Sequence, residues 1–123
     1  MKLNPSLLYE EVSNDNGTCY KYADGTMICA MITKVTTTIT TGWGGIYIGG
    51  IFNMGKYPVE FKETPIVSIS VTNNTGDGAW YMNGSADLKP DKKHAGSYYL
   101  CRGASLNSAK EFIFNIIAIG KWK

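Results

Sequence analysis

An antiparallel all-β sandwich is the fold class this sequence predicts, and three observations carry the prediction. Fourteen glycines, eight tyrosines and a dense set of Thr, Ile and Val among 123 residues favour short strands and tight turns, because branched and aromatic side chains suit a pleated surface. Apolar residues recur with period two in several segments, and no ten-residue stretch shows a helical period. Clusters of Asn, Asp, Gly and Ser break the chain at short intervals, the spacing of a sandwich or barrel. The length suits a single domain, and no internal repeat is present.

Residues 1–16 read as a connector with one helical turn, closed by Asn14-Asp-Asn-Gly17, where the boundary of a domain spanning 17–123 falls. Thr18–Tyr22 and Thr26–Lys34 flank Ala23-Asp24-Gly25, a hairpin signal because glycine accepts positive φ. Val35–Thr41 is a β-branched run and reads as a further strand. Trp43–Phe52 interleaves large apolar groups with glycine, compatible with a bulge, a close backbone approach or loops beside a strand. Tyr57–Pro65 puts Val59 and Phe61 on one face and charges on the other, the alternation of a half-buried strand. Ile66–Thr72 separates cleanly into Val67, Ile69, Val71 against Ser68, Ser70, Thr72. After the Asn73–Gly78 turn, a short strand is expected at Ala79–Met82, an exposed loop at Asp87–Gly96 and strands at Ser97–Arg102 and about Glu111–Ile119.

The final strand is apolar on both sides. Phe112, Phe114, Ile116 and Ala118 form one alternating set; Ile113, Asn115, Ile117 and Ile119 form the other. Neither suits water, so one face packs on the strand's own core and the other is expected to be covered by another subunit.

Twelve basic against ten acidic residues leave a formal net charge of +2, too little for the phosphate neutralisation that nucleic-acid binding needs. No segment approaches the roughly 20 apolar residues that cross a bilayer, and no signal-type run follows Met1. Neither nucleic acid nor membrane insertion is expected. Cys19, Cys29 and Cys101 are odd in number and lack C-x-x-C spacing, so the plainest reading is buried free thiols. A Cys19–Cys29 bridge requires a hairpin register that sets the two opposite. The three Asn-x-Ser/Thr sites at Asn16, Asn73 and Asn83 reflect turn composition.

Catalytic chemistry finds no footing in the sequence. His94, the sole histidine, sits between Lys93 and Ala95 in a polar loop, and a solvated side chain is expected there. No metal cluster or cofactor motif appears, Gly42–Gly50 lacks the Lys and Ser/Thr of a phosphate loop, and no pair among Glu60, Glu63, Asp77, Asp87, Asp91 and Glu111 can be nominated for glycoside cleavage. A binding surface remains. Trp80, Tyr81, Asn83 and Asp77 around one turn, and Trp43 and Tyr47 in the glycine run, combine flat rings with amide and carboxylate groups, which suits the apolar face and hydroxyl rim of a sugar. The competing reading is that Trp43, Trp80 and Trp122 fill the core or a subunit contact.

Three stretches resemble C-terminal receptor-binding domains of tailed-phage fibre and baseplate proteins, related in architecture to H-type lectins: Tyr20–Cys29, Tyr57–Ser70 and Ala118–Lys123. Ala30-Met31 departs from the aromatic and glycine that many relatives carry there. The resemblance implies a sandwich of six to eight strands and a homotrimer at a virion tail tip, joined to other tail or baseplate proteins. It also implies non-enzymatic attachment to host cell-surface saccharide, after synthesis in bacterial cytoplasm. A ligand-free structural trimerisation module is the first alternative, a polysaccharide-cleaving enzyme the second.

Overall fold

A computed structural model describes residues 7–84 and 89–123; the N-terminal part of the connector, Ser85 and Asp87 lie outside the described residues. Nine strands form two antiparallel sheets packed as a sandwich, with no α-helix among the described residues. The strands are β1 (Leu8–Asn14), β2 (Gly17–Tyr22), β3 (Thr26–Ile39), β4 (Thr41–Trp43), β5 (Ile46–Asn53), β6 (Ile66–Thr72), β7 (Trp80–Asn83), β8 (Ser97–Arg102) and β9 (Leu106–Lys121). The larger sheet runs β1-β2-β3-β9-β6 and the smaller β4-β5-β8-β7.

The long β3–β9 ladder is the spine, with Cys29 opposite Ala118, Met31 opposite Ile116 and Val35 opposite Phe112. Directly paired residues share a face, so Cys29, Met31, Phe112, Phe114, Ile116 and Ala118 all point inward and are buried. Val67, Ile69 and Val71 of β6 continue that inner face, as their alternation predicts. Tyr98 and Leu100 of β8, with Tyr47 and Phe52 of β5, meet it from the other sheet.

Several expected elements come out differently. Residues 8–14 form no helical turn: they pair with β2 from Leu8↔Tyr22 to Asn14↔Gly17, so the sheet continues across the expected domain boundary. Thr26–Lys34 and Val35–Thr41 do not make two strands, because no turn residue interrupts them and β3 runs on to Ile39. Thr41 instead begins β4, and Gly44-Gly45, at φ of 57° and 91°, close a two-residue hairpin with Trp43 opposite Ile46. Tyr57–Pro65 is not a ladder strand; Pro58 and Pro65 have no N–H to donate to one. The inward direction of Val59 and Phe61 nevertheless holds, and Phe61 plugs one end of the core. The glycine at 120 makes room for it, since a Cβ there would stand 2.9 Å from the Phe61 ring and 3.2 Å from Pro65.

The thiol reading is corrected at two of three cysteines. The Ala23-Asp-Gly25 turn, with the Gly25 N–H donating to Tyr22 O and the Thr26 N–H to Asp24, sets Cys19 directly opposite Cys29, with Cα atoms 4.0 Å apart, and the two are bridged. Cys101 is free and buried.

Candidate functional site

Strand alternation divides the six nominated residues. In β7, Tyr81 and Asn83 pair with Leu100 and Tyr98 and so face inward, whereas Trp80 pairs with Cys101 and Met82 with Tyr99 on the outer face. In β5, Tyr47 pairs with Arg102 and packs against the core, while Ile48 pairs with Cys101 and Ile51 with Tyr99 on the outer face. Thr41 and Trp43 of β4 lie across from Ile48 and Ile46, which puts Trp43 on that same outer face. The structure therefore brings Trp43 and Trp80 to one surface, packs Tyr47 against the core, and puts Tyr81 and Asn83 on the inner face of β7, where both remain exposed at the sandwich edge.

Trp43 is 54% and Trp80 48% exposed, while Cys101 beneath the outer face is fully covered and its thiol is pushed up by burial. Trp43 and Trp80 stand on opposite edge strands, three strand spacings or about 15 Å apart across the sheet, and Trp80 is level with Thr41, two residues along β4 from Trp43. Of the other outer-face residues Met82, Tyr99, Ile48 and Ile51, Ile48 lies between the two indole strands in the Trp80 row, while Met82, Tyr99 and Ile51 form the next row, on the side of Trp80 away from Trp43. Sequence reasoning missed these four, although the period-two alternation around Trp80 and Cys101 could have found them.

Tyr81 and Asn83 contribute instead to a cleft of about 300 Å³ where the sandwich opens between β6 and β7. Thr64, Pro65, Val67, Ile69, Lys89 and Tyr98 complete its lining. The Tyr81 ring meets Tyr98 edge-on, with centroids 5.6 Å apart. Tyr98 donates its hydroxyl to Ala95 O, and burial pushes its pKa up. Asp77 serves its own loop. Asn73 Oδ1 accepts from the N–H groups of Thr75 (2.8 Å) and Asp77 (3.1 Å), Asn73 Nδ2 donates to Glu111 O, and the Thr75 hydroxyl donates to the Asp77 carboxylate. Asp77 is not part of that cleft and lines a separate hollow of about 340 Å³ with Val71, Asn73 and Phe112.

Glu60 and Asp91 have ordinary partners. Glu60 lies 3.8 Å from Lys92. Asp91 accepts from the backbone N–H groups of His94 and Lys93, which hold its carboxyl below the usual range, and its Oδ1 lies 3.2 Å from His94 Nδ1. Trp122 donates its indole N–H to Tyr22 O and stacks on Tyr9, closing the end of the large sheet beside Lys21 and Lys123.

The larger sheet has its own exposed outer face, and it is aliphatic. Register places Tyr20, Ile28, Ile119 and Ile66 in one row, Thr18, Ala30, Ile117 and Ser68 in the next, and Ile32, Asn115 and Ser70 in a third. Ile66 is 78% exposed, Ile32 66%, and Ile117 and Ile119 45% each. A shallow groove of about 560 Å³ runs beside the β1–β2 turn over Ile32, Asn115 and Ile117.

The molecule thus belongs to the class of small antiparallel β-sandwiches, with one aliphatic and one aromatic outer face. Among solved structures it resembles the C-terminal fragment, residues 323–701, of the P. aeruginosa R1 pyocin fibre: TM-score 0.55 at 15% identity, covering 89% of this chain and 27% of that one. The likeness is one of fold, to part of that fibre. No family model matches the chain, and no curated protein matches it.

Proposed function

We propose that this chain is a non-enzymatic receptor-binding module of a phage or phage-like tail, assembled as a homotrimer and attaching to bacterial surface carbohydrate. The observation that carries the reading is the aliphatic outer face of β3, β9 and β6, where Ile32, Ile66, Ile117 and Ile119 lie open to solvent in adjacent rows beside the half-buried Ile28. Covering such a face gains on the order of 25 cal/mol per Å² of apolar area before association costs, and contiguous exposed patches of this kind mark interaction sites. Sister copies around a three-fold axis supply the cover.

The sandwich geometry supports the second half of the reading. The outer faces of two stacked sheets point in opposite directions. Subunits that turn the aliphatic face to the axis therefore carry Trp43 and Trp80 on the outside of the assembly. Three copies of a weak site on one rigid tip raise apparent affinity for a repeated surface polymer by roughly 10² to 10⁴. The fold likeness to part of a pyocin fibre supports the virion-tail setting.

Binding of the purified protein to intact cells from a panel of bacterial strains, with and without periodate oxidation of their surface glycans, tests this function. Periodate-sensitive binding to at least one strain is the expected result. Binding to none, or binding that survives oxidation, contradicts it.

A further inference from the structure

Resting on the attachment reading, we infer that the outer face of the β4-β5-β8-β7 sheet takes an extended, uncharged polysaccharide that crosses the strands and stacks on Trp43 and Trp80 together. Two observations specify that ligand. The first is charge: the four strands of this sheet contain a single charged residue, Arg102, and it pairs with inward-facing Tyr47 and donates to Gly78 O and Ala104 O. An acidic glycan laid on this face would lose water from its carboxylates or phosphates with no counter-charge to meet them. The second is spacing. Trp43 and Trp80 stand on opposite edge strands, three strand spacings or about 15 Å across the sheet and two residues or about 7 Å along it, a separation that exceeds one sugar ring.

The floor fits the same occupant. Cys101 is fully covered, so the middle of the Trp80 row is already closed, and the exposed apolar area of the face lies at the two edge indoles and Ile51. Thr41 lies on this face level with Trp80, and Tyr99 lies in the next row beyond Trp80, so their hydroxyls serve the rims of successive pyranoses while the rings take the C–H side. A second copy of this chain fits less well, because the aliphatic face on the far side of the sandwich already offers the larger continuous apolar area.

The test is a binding series with neutral oligosaccharides of increasing length (β-glucan and N-acetylglucosamine types) and with hyaluronate and polygalacturonate as acidic probes. Indole fluorescence and affinity electrophoresis are read on the wild type, Trp43→Ala, Trp80→Ala and Trp80→Phe. Expected are neutral-only binding, affinity that rises with chain length, about tenfold loss in each alanine variant and retention in Trp80→Phe. Acidic-only binding, no length dependence, or indifference to Trp43→Ala overturns the inference while leaving attachment through another surface intact. No binding to any probe overturns it as well, and the intact-cell experiment then decides whether attachment falls with it. If both indoles are shielded from acrylamide and the alanine variants lose oligomeric order, the face is a contact between copies and the inference is overturned.

Discussion

Trp80 lies directly across the β7–β8 ladder from Cys101, on the outer face of the smaller sheet, with Ile48 on the other flank of the same cysteine. The thiol is fully covered and raised by burial, yet it stands outside the main core cluster. Its cover is one thin layer of side chains. Native protein is therefore expected to react slowly with a thiol reagent such as DTNB, and Trp80→Ala to react at least about tenfold faster with folding retained. Equal rates would place the indole elsewhere.

Gly120 and Phe61 share the space at one end of the sandwich. Because a Cβ at 120 would stand 2.9 Å from the ring, Gly120→Ala should cost about 1–3 kcal/mol in urea unfolding. In a Phe61→Leu background that increment should shrink, since the added methyl then finds room.

The Cys19–Cys29 bridge joins residues ten apart and restrains the unfolded chain. Reduction, or replacement of both cysteines by alanine, should lower stability by about 2–3 kcal/mol. Intact mass before and after reduction and alkylation should show one bridged pair and one free thiol.

Asp91 and Asp24 give the fold its acid sensitivity. Backbone N–H donation from His94 and Lys93 lowers the carboxyl of Asp91, and from Thr26 that of Asp24. A carboxylate lowered on folding contributes stability that is complete above its unfolded pKa, about 3.9, and is lost as pH falls through the lower folded value. Chemical unfolding between about pH 5 and pH 2 should show stability falling with acid. Asp91→Ala should start less stable at neutral pH and fall less steeply. A slope unchanged by the substitution would remove Asp91 from the account.

How much was legible in the sequence depends on how strongly each segment differs between its two faces. Ile66–Thr72 has one apolar and one hydroxyl face, and β6 appears where the alternation puts it. β9 also appears, longer than expected, with one set buried and the other open. Leu8–Asn14 escaped because an edge strand exposed on most of its length has no apolar face to betray it. Tyr57–Pro65 misled because period two survives in Val59 and Phe61 while its prolines forbid the ladder. Which of the six nominated residues share a face was not legible. Trp80 and Tyr81 are neighbours in sequence, and a strand sends neighbours to opposite faces.

Sedimentation equilibrium of the wild type beside Ile117→Glu and Ile32→Glu tests the central claim most directly, since both residues sit in the open aliphatic rows. The account predicts a wild-type mass three times 13.5 kDa and folded monomers for both variants. A wild type that stays a 13.5 kDa monomer across the accessible concentration range would contradict it.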